Sequence, residues 1–279
     1  MIDINAIANA AAEQDEVPGA GGFKRELPRV GPALLRLQSY LELGLHKAKN
    51  PAHKPKREVR LRFELLHPDH MISGEKDDGT KYNFPMTLDV YTNVGGPTSK
   101  FGKLFAKMNY DNDASFMYQL IGKSFLGGIV HNTVGEGKDA KTYVNLQDEA
   151  GNWDIGAPLV AKVDPATGLP SSEKTPVPVP ELDNDPQMFL YNKAGLTDDV
   201  VKQMWDSIFI EGEWEATDTK PAKSKNWIQE KIRTSLDFDG SATQRVDTGA
   251  TLELPETDTP EPPVEVPADD TDPLKAIGL

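Results

Sequence analysis

The chain has 279 residues, 38% hydrophobic content, 22 prolines and a formal net charge of −14. With no cysteine it has neither disulfides nor thiolate metal sites, and no run of about 18 apolar residues is present to span a membrane as a helix. The acidic total does not exclude a polyanionic ligand, because residues 24–62 carry eleven Lys/Arg against three Asp/Glu while residues 246–279 carry one against nine.

Residues 1–22 are Ala-rich and then Gly-rich, and read as a flexible N-terminal arm without the basic and apolar regions of a secretory leader. From Pro32, the residues Leu35, Leu37, Ser39, Leu41 and Leu43 alternate with Leu34, Arg36, Gln38, Tyr40 and Glu42. That predicts a strand, with a helix as the rival reading because Leu34, Leu37, Leu41 and Leu45 also make a helical stripe. Lys47 to Lys56 forms a basic hairpin-type loop. Beyond it Val59, Leu61, Phe63 and Leu65 alternate with Arg60, Arg62 and Glu64, the pattern of a half-buried strand with a charged outer face.

Ser73 to Gly79 reads as a turn, and Phe84 to Thr92 as a third strand with Met86, Leu88 and Val90 inward. Pro97-Thr98-Ser99 is a helix start, followed by Phe101, Leu104, Phe105 and Met108 at helical spacing. Ser124 to Val134 and Lys141 to Gln147 give two more strands, with Gly127-Gly128 marking a bulge or close backbone approach. The order strand, strand, strand, helix, strand, strand predicts a mainly β chain with an OB-fold core over residues 23–150. This is a five-stranded barrel with a helix between strands three and four.

Residues 151–240 read as an extended loop, polyproline-like at Thr175 to Pro180, with two short helices packed on or appended to the core. The helices are Thr197 to Phe209, capped by Thr197, and Ser224 to Ser235, capped by Ser224. Residues 241–279 are a disordered acidic tail by composition.

Chemistry is sparse along this chain. His67-Pro-Asp-His70 is a poor ligand array, and there is no H-E-x-x-H, P-loop or G-x-S-x-G. The expectation is a non-enzymatic protein with no metal and no cofactor. Phosphates need cations at intervals along a groove, and bases need flat side chains to stack on. Arg36, Lys47, Lys49, Lys54, Lys56, Arg57, Arg60, Arg62 and Lys123 are the candidate phosphate contacts. Tyr40, Tyr82 and Tyr91 are the candidate stacking platforms, with Tyr143 and Phe84 as further rings. In the tail, Asp269, Asp270 and Asp272 would steer a partner protein while Leu274, Ile277 and Leu279 anchor in it. The tail can also fold back as a competitor for the basic face.

The chain resembles phage-encoded single-stranded DNA-binding proteins over about residues 30–150, and in the composition of its tail. The similarity rests on Tyr40-Leu-Glu-Leu-Gly44, the Lys/Arg-rich loop, Lys56-Arg-Glu-Val-Arg-Leu-Arg-Phe-Glu-Leu65 and Ser224-Lys-Asn-Trp-Ile-Gln-Glu-Lys231. It departs at the end, where Lys-Ala-Ile-Gly-Leu replaces the usual acidic stretch closed by an aromatic residue. The resemblance implies a cytoplasmic protein that coats single-stranded DNA during replication and recombination. It also implies replication or recombination proteins as tail partners, no membrane contact, and room for a homo-oligomer. The alternative is a β-barrel module for protein interaction or virion structure that binds no nucleic acid.

Overall fold

The computed structural model describes residues 27–48, 50–75, 78–136, 140–148, 150–181, 185–216 and 221–249. Its centre is one sheet in which β5 (Thr87–Asn93), β2 (Lys56–Leu65), β1 (Gly31–His46), β6 (Ser124–Val134) and β7 (Lys141–Asn145) lie side by side in that order. All four pairings are antiparallel. The two edge strands, β5 and β7, approach each other, yet no ladder joins them among the described residues, so the sheet stays open.

Two shorter strands extend the sheet. β8 (Ile155–Gly156) pairs with β6, and β11 (Gln187–Phe189) runs parallel to β1 at Ser39–Leu41, where β6 has left off. β3 (Met71–Glu75) and β4 (Lys81–Pro85) form a separate hairpin, as do β9 (Leu159–Val163) with β10 (Pro170–Pro176), and β12 (Glu213–Trp214) with β13 (Lys223–Ser224). The mainly β expectation therefore holds, whereas the five-stranded barrel is not confirmed. The helix α1 (Lys100–Met108) follows the fifth strand in chain order rather than the third. The reason is the β3–β4 hairpin, which occupies the stretch read as a simple turn.

Strand β1 accounts for the ambiguity of its own sequence. Its register against β2 slips twice, between Leu37 and Ser39 and between Glu42 and Gly44. Each bulge adds a residue and resets which side chains face the core, so alternation cannot hold along all 16 residues. Leu35, Leu37, Leu41 and Leu43 are buried, and so are Arg36, Tyr40 and Glu42. Both faces are covered.

On one face, Val59, Leu61, Phe63 and Leu65 of β2 meet Met86, Leu88 and Val90, and α1 adds Leu104 and Met108. Ser99 caps α1, its Oγ accepting from the Gly102 N–H at 3.0 Å. On the other face lies a layer of helices from the C-terminal part of the chain, α2 (Asp198–Ser207), α3 (Trp227–Arg233) and α4 (Ala242–Thr248), with α2 against β11 and α3 against β1. Thr197 caps α2 as the sequence predicts. Ser224 does not cap α3; it ends β13, and its Oγ instead accepts from Asn226 N–H at 3.0 Å just before the helix.

The helix α4 lies inside the stretch read as tail. Ser241 caps it, Thr243 is buried, and Asp247 accepts from Trp205 of α2 (3.2 Å) and Arg233 of α3 (2.7 Å). Short polar side chains gave this helix no apolar stripe, which hid it. Residues 250–279 and the arm through residue 26 lie outside the described residues. Among the described residues no helix is long and apolar enough to cross a membrane.

At Gly44 this layer presses close on β1. Its φ is +89°, and a Cβ there would sit 2.5 Å from Cβ of Ser235. Left-handed backbone and overpacking each carry a cost for any other residue, together about 2–4 kcal/mol. Gly44→Ala is expected to lower the urea midpoint accordingly, while Gly79→Ala, also at positive φ but with open space around it, loses only the backbone part.

Candidate nucleic-acid interface

The candidate cations divide into those the fold has consumed and those it leaves to solvent. Arg36 is consumed. Its guanidinium donates to the Glu181 carbonyl at 3.0 Å and to the Pro180 carbonyl, and stands 3.9 Å from Glu64, with 4% of the side chain exposed.

Arg60 and Arg62 are consumed by one carboxylate. Asp89 on β5 lies across from Arg62 in register, accepts from Arg62 Nε at 2.9 Å, and from Arg60 at 2.5 Å. Burial alone would push the Asp89 carboxyl up. The two guanidiniums outweigh it and hold the group well below the usual carboxylate range. Above Arg60 lies the ring of Trp227 from α3, 5.1 Å from the guanidinium carbon. The charged outer face of β2, predicted to be free for a ligand, is thus an internal surface.

Lys123 bridges Asp111 (3.1 Å) and Asp113 (2.7 Å) above the ring of Tyr110. The hydrogen bond that Lys123 donates to Asp113 raises the ammonium pKa, so this side chain is committed too. Tyr40 is equally withdrawn. It is 3% exposed and donates to Glu42 at 3.1 Å, and burial followed by the Glu42 charge pushes its phenol up. Tyr82 is half-buried and stacked on Phe84 at 5.4 Å in the β3–β4 hairpin.

What remains outward is the β1–β2 loop. Asn50 shapes it, its Oδ1 accepting from Ala52 N–H and its carbonyl from His53 N–H, both at 3.0 Å. Lys47, Lys54 and Lys56 are exposed along this loop, and Lys49 lies outside the described residues. Arg57 is half exposed and reaches Asp237 at 3.0 Å. Asp237 in turn accepts from the Leu45 N–H at 3.0 Å, fixing the base of the loop to the C-terminal layer.

Two exposed tyrosines lie on the edge strands. Tyr91 on β5 pairs across from Arg60, so it points to the outer side, and 54% of it is exposed. Tyr143 on β7 is 52% exposed. They occupy the two edge strands that approach each other. Tyr91 sits level with Arg60, four residues from Lys56, which is roughly 13 Å along β2. A cationic loop therefore leads toward the exposed ring of Tyr91, a combination that can hold phosphates and stack a base.

Sequence reasoning missed Asp89 and Trp227 as the groups that neutralise and cover the β2 arginines. It also missed Phe116, which is exposed in the segment between α1 and β6. Cross-strand register would have exposed the Asp89 pairing, but nothing in the order of residues signals Trp227. Among the described residues no group of three or more His, Asp or Glu gathers as a metal would require. The tail residues Asp269, Asp270, Asp272, Leu274, Ile277 and Leu279 lie outside the described residues. No family model, no curated protein and no solved structure matches the chain.

Proposed function

We propose that the chain binds single-stranded DNA without strong sequence preference, through the Lys47, Lys54, Lys56 and Arg57 loop and the rings of Tyr91 and Tyr143. The observation that carries this reading is the exposed cationic loop opening onto edge strands with outward tyrosines. The strand order supports an OB-type core. With the β3–β4 hairpin set aside as an insertion, the path β5-β2-β1-β6-β7 becomes 3-2-1-4-5, and α1 falls between the third and fourth strands. Such barrels hold oligonucleotides with grooves of cations and stacking rings.

The ligand surface in this reading is narrower than the sequence suggests. Arg36, Arg60, Arg62, Lys123 and Tyr40 stabilise the fold and do not touch the strand. The acidic residues past Asp247, eight Asp/Glu against one Lys over 248–279, would compete with DNA for the loop or dock in replication and recombination proteins.

Titration of a fluorescein-labelled oligo(dT) at low and raised salt tests the reading. Micromolar or tighter binding is expected, weakening steeply as salt rises because condensed counterions are released. No binding to the oligonucleotide at low salt would overturn it. The alternative of a protein-interaction module draws on the β9–β10 hairpin. That hairpin stands alone as two strands with Leu159, Val160 and Val163 exposed, an arrangement marginal in water without something packed on it. It predicts a protein partner captured through that hairpin and no salt-dependent oligonucleotide binding.

A further inference from the structure

The segment between α1 and β6 spends many hydrogen bonds to hold one ring out in solvent. Asn109 closes its start, its Oδ1 accepting from Ala114 N–H at 3.1 Å and its Nδ2 donating to the Ala114 carbonyl at 2.8 Å. Gln119 Oε1 then accepts from two successive backbone N–H groups, Ser115 at 2.7 Å and Phe116 at 2.8 Å. The residue so fixed is Phe116, with 54% of its surface exposed.

Its ring is one end of a ladder. Phe116 stacks on Tyr118 with centroids 5.3 Å apart and planes within 5°, and Tyr118 meets buried Tyr40 edge to face at 6.0 Å. Tyr40 is locked by its bond to Glu42. Only one face of the Phe116 ring is covered by Tyr118. Exposed phenylalanine in a rigid setting is unfavourable for the free protein, because apolar surface stays hydrated without any entropy gain from motion. A flat partner on the open face would extend the ladder by one rung.

We infer that Phe116 is a stacking site for a nucleobase, a second contact region for the same single strand; this rests on the function proposed above. The site lies beside β1 near Tyr40, seven residues from Lys47, roughly 20 Å along the strand. A single strand engaging both regions covers several nucleotides, within the footprint of about 4–16 that OB-type modules show. The nearby carboxylates of Asp111 and Asp113 are bridged by Lys123, which reduces their repulsion of a passing phosphate. A π-face is common to all four bases, so the contact adds affinity without sequence preference.

The test compares wild type with Phe116→Ala, Phe116→Leu and Phe116→Trp on two probes, oligo(dT) and an abasic oligodeoxyribose phosphate of equal length. The expected result is that Ala and Leu weaken oligo(dT) binding by about five- to a hundredfold, that Trp retains it, and that affinity for the abasic probe is unchanged. Thermal melts check that all variants fold. Oligo(dT) affinity unchanged in Phe116→Ala overturns the inference while leaving the loop-and-rim reading in place, and an equal loss on both probes overturns it too. If wild type binds neither probe, the parent reading has failed and the inference falls with it.

Discussion

Replacing Asp89 by alanine is expected to destabilise the protein by about 3 kcal/mol, the lower end of the range for breaking a buried ion pair. Two cations depend on this one carboxylate. Arg60 keeps 3% of its side-chain surface and Arg62 17%, and Trp227 lies over the first. Without Asp89 both would lose the carboxylate that they share while remaining largely out of water. Asp89 itself keeps 17% of its surface, so some water relieves the loss and keeps it from the upper end. Urea denaturation measures it, and replacing Arg60, Arg62 and Asp89 together by apolar residues should recover part of the stability. The pH dependence has a definite sign. Because the folded carboxyl titrates well below its ordinary value of about 3.9, its stabilisation is complete above that pH and is lost as pH falls toward the lowered value. A single Asp89→Ala substitution without effect on the urea midpoint would show that the outer face of β2 is wetter than the geometry indicates.

The second large effect concerns binding. The triple variant Lys47→Gln, Lys54→Gln and Lys56→Gln should weaken oligo(dT) binding at low salt by about tenfold or more. It should also flatten the plot of log affinity against log salt by about two, since each phosphate contact to a single strand contributes roughly 0.7. These side chains are exposed, so the melting temperature should stay within experimental error. By contrast, Lys123→Gln should leave the slope unchanged, its charge being matched by Asp111 and Asp113. An unaltered slope in the triple variant would remove the loop from the interface.

Much of the element order was legible because local signals were strong. Hydroxyl caps at Ser99 and Thr197 stood directly before apolar helical spacing, and Val59 to Leu65 alternated without interruption. Tertiary choices were less visible. The alternation of β1 was misleading because two bulges reset its facing, and a bulge leaves no composition of its own at Gln38 or Leu43. Arg60 and Arg62 were read as outward and therefore free. Outward they are, but a strand has two faces, and the second was claimed by α3 from far along the chain. Their partner Asp89 sits on the neighbouring strand, where only register could reveal it. The loop lysines survive as surface groups because proline and asparagine punctuate the hairpin, while later residues such as Asp237 hold only its base.

The late capture of β1 also sets an order of events. Its middle completes its pairing only when β11 arrives, and the Tyr191 N–H donates to Glu42, 149 positions earlier in the chain. During synthesis at about 5–20 residues per second, the middle of β1 therefore waits roughly 7 to 30 seconds for its last partners. Nascent chains in that interval present a long strand with an open edge, the form most prone to pair with a neighbour. Arg36, the single Lys/Arg of β1, is a charge of the kind that blunts an exposed edge, and it lies buried once the fold is complete.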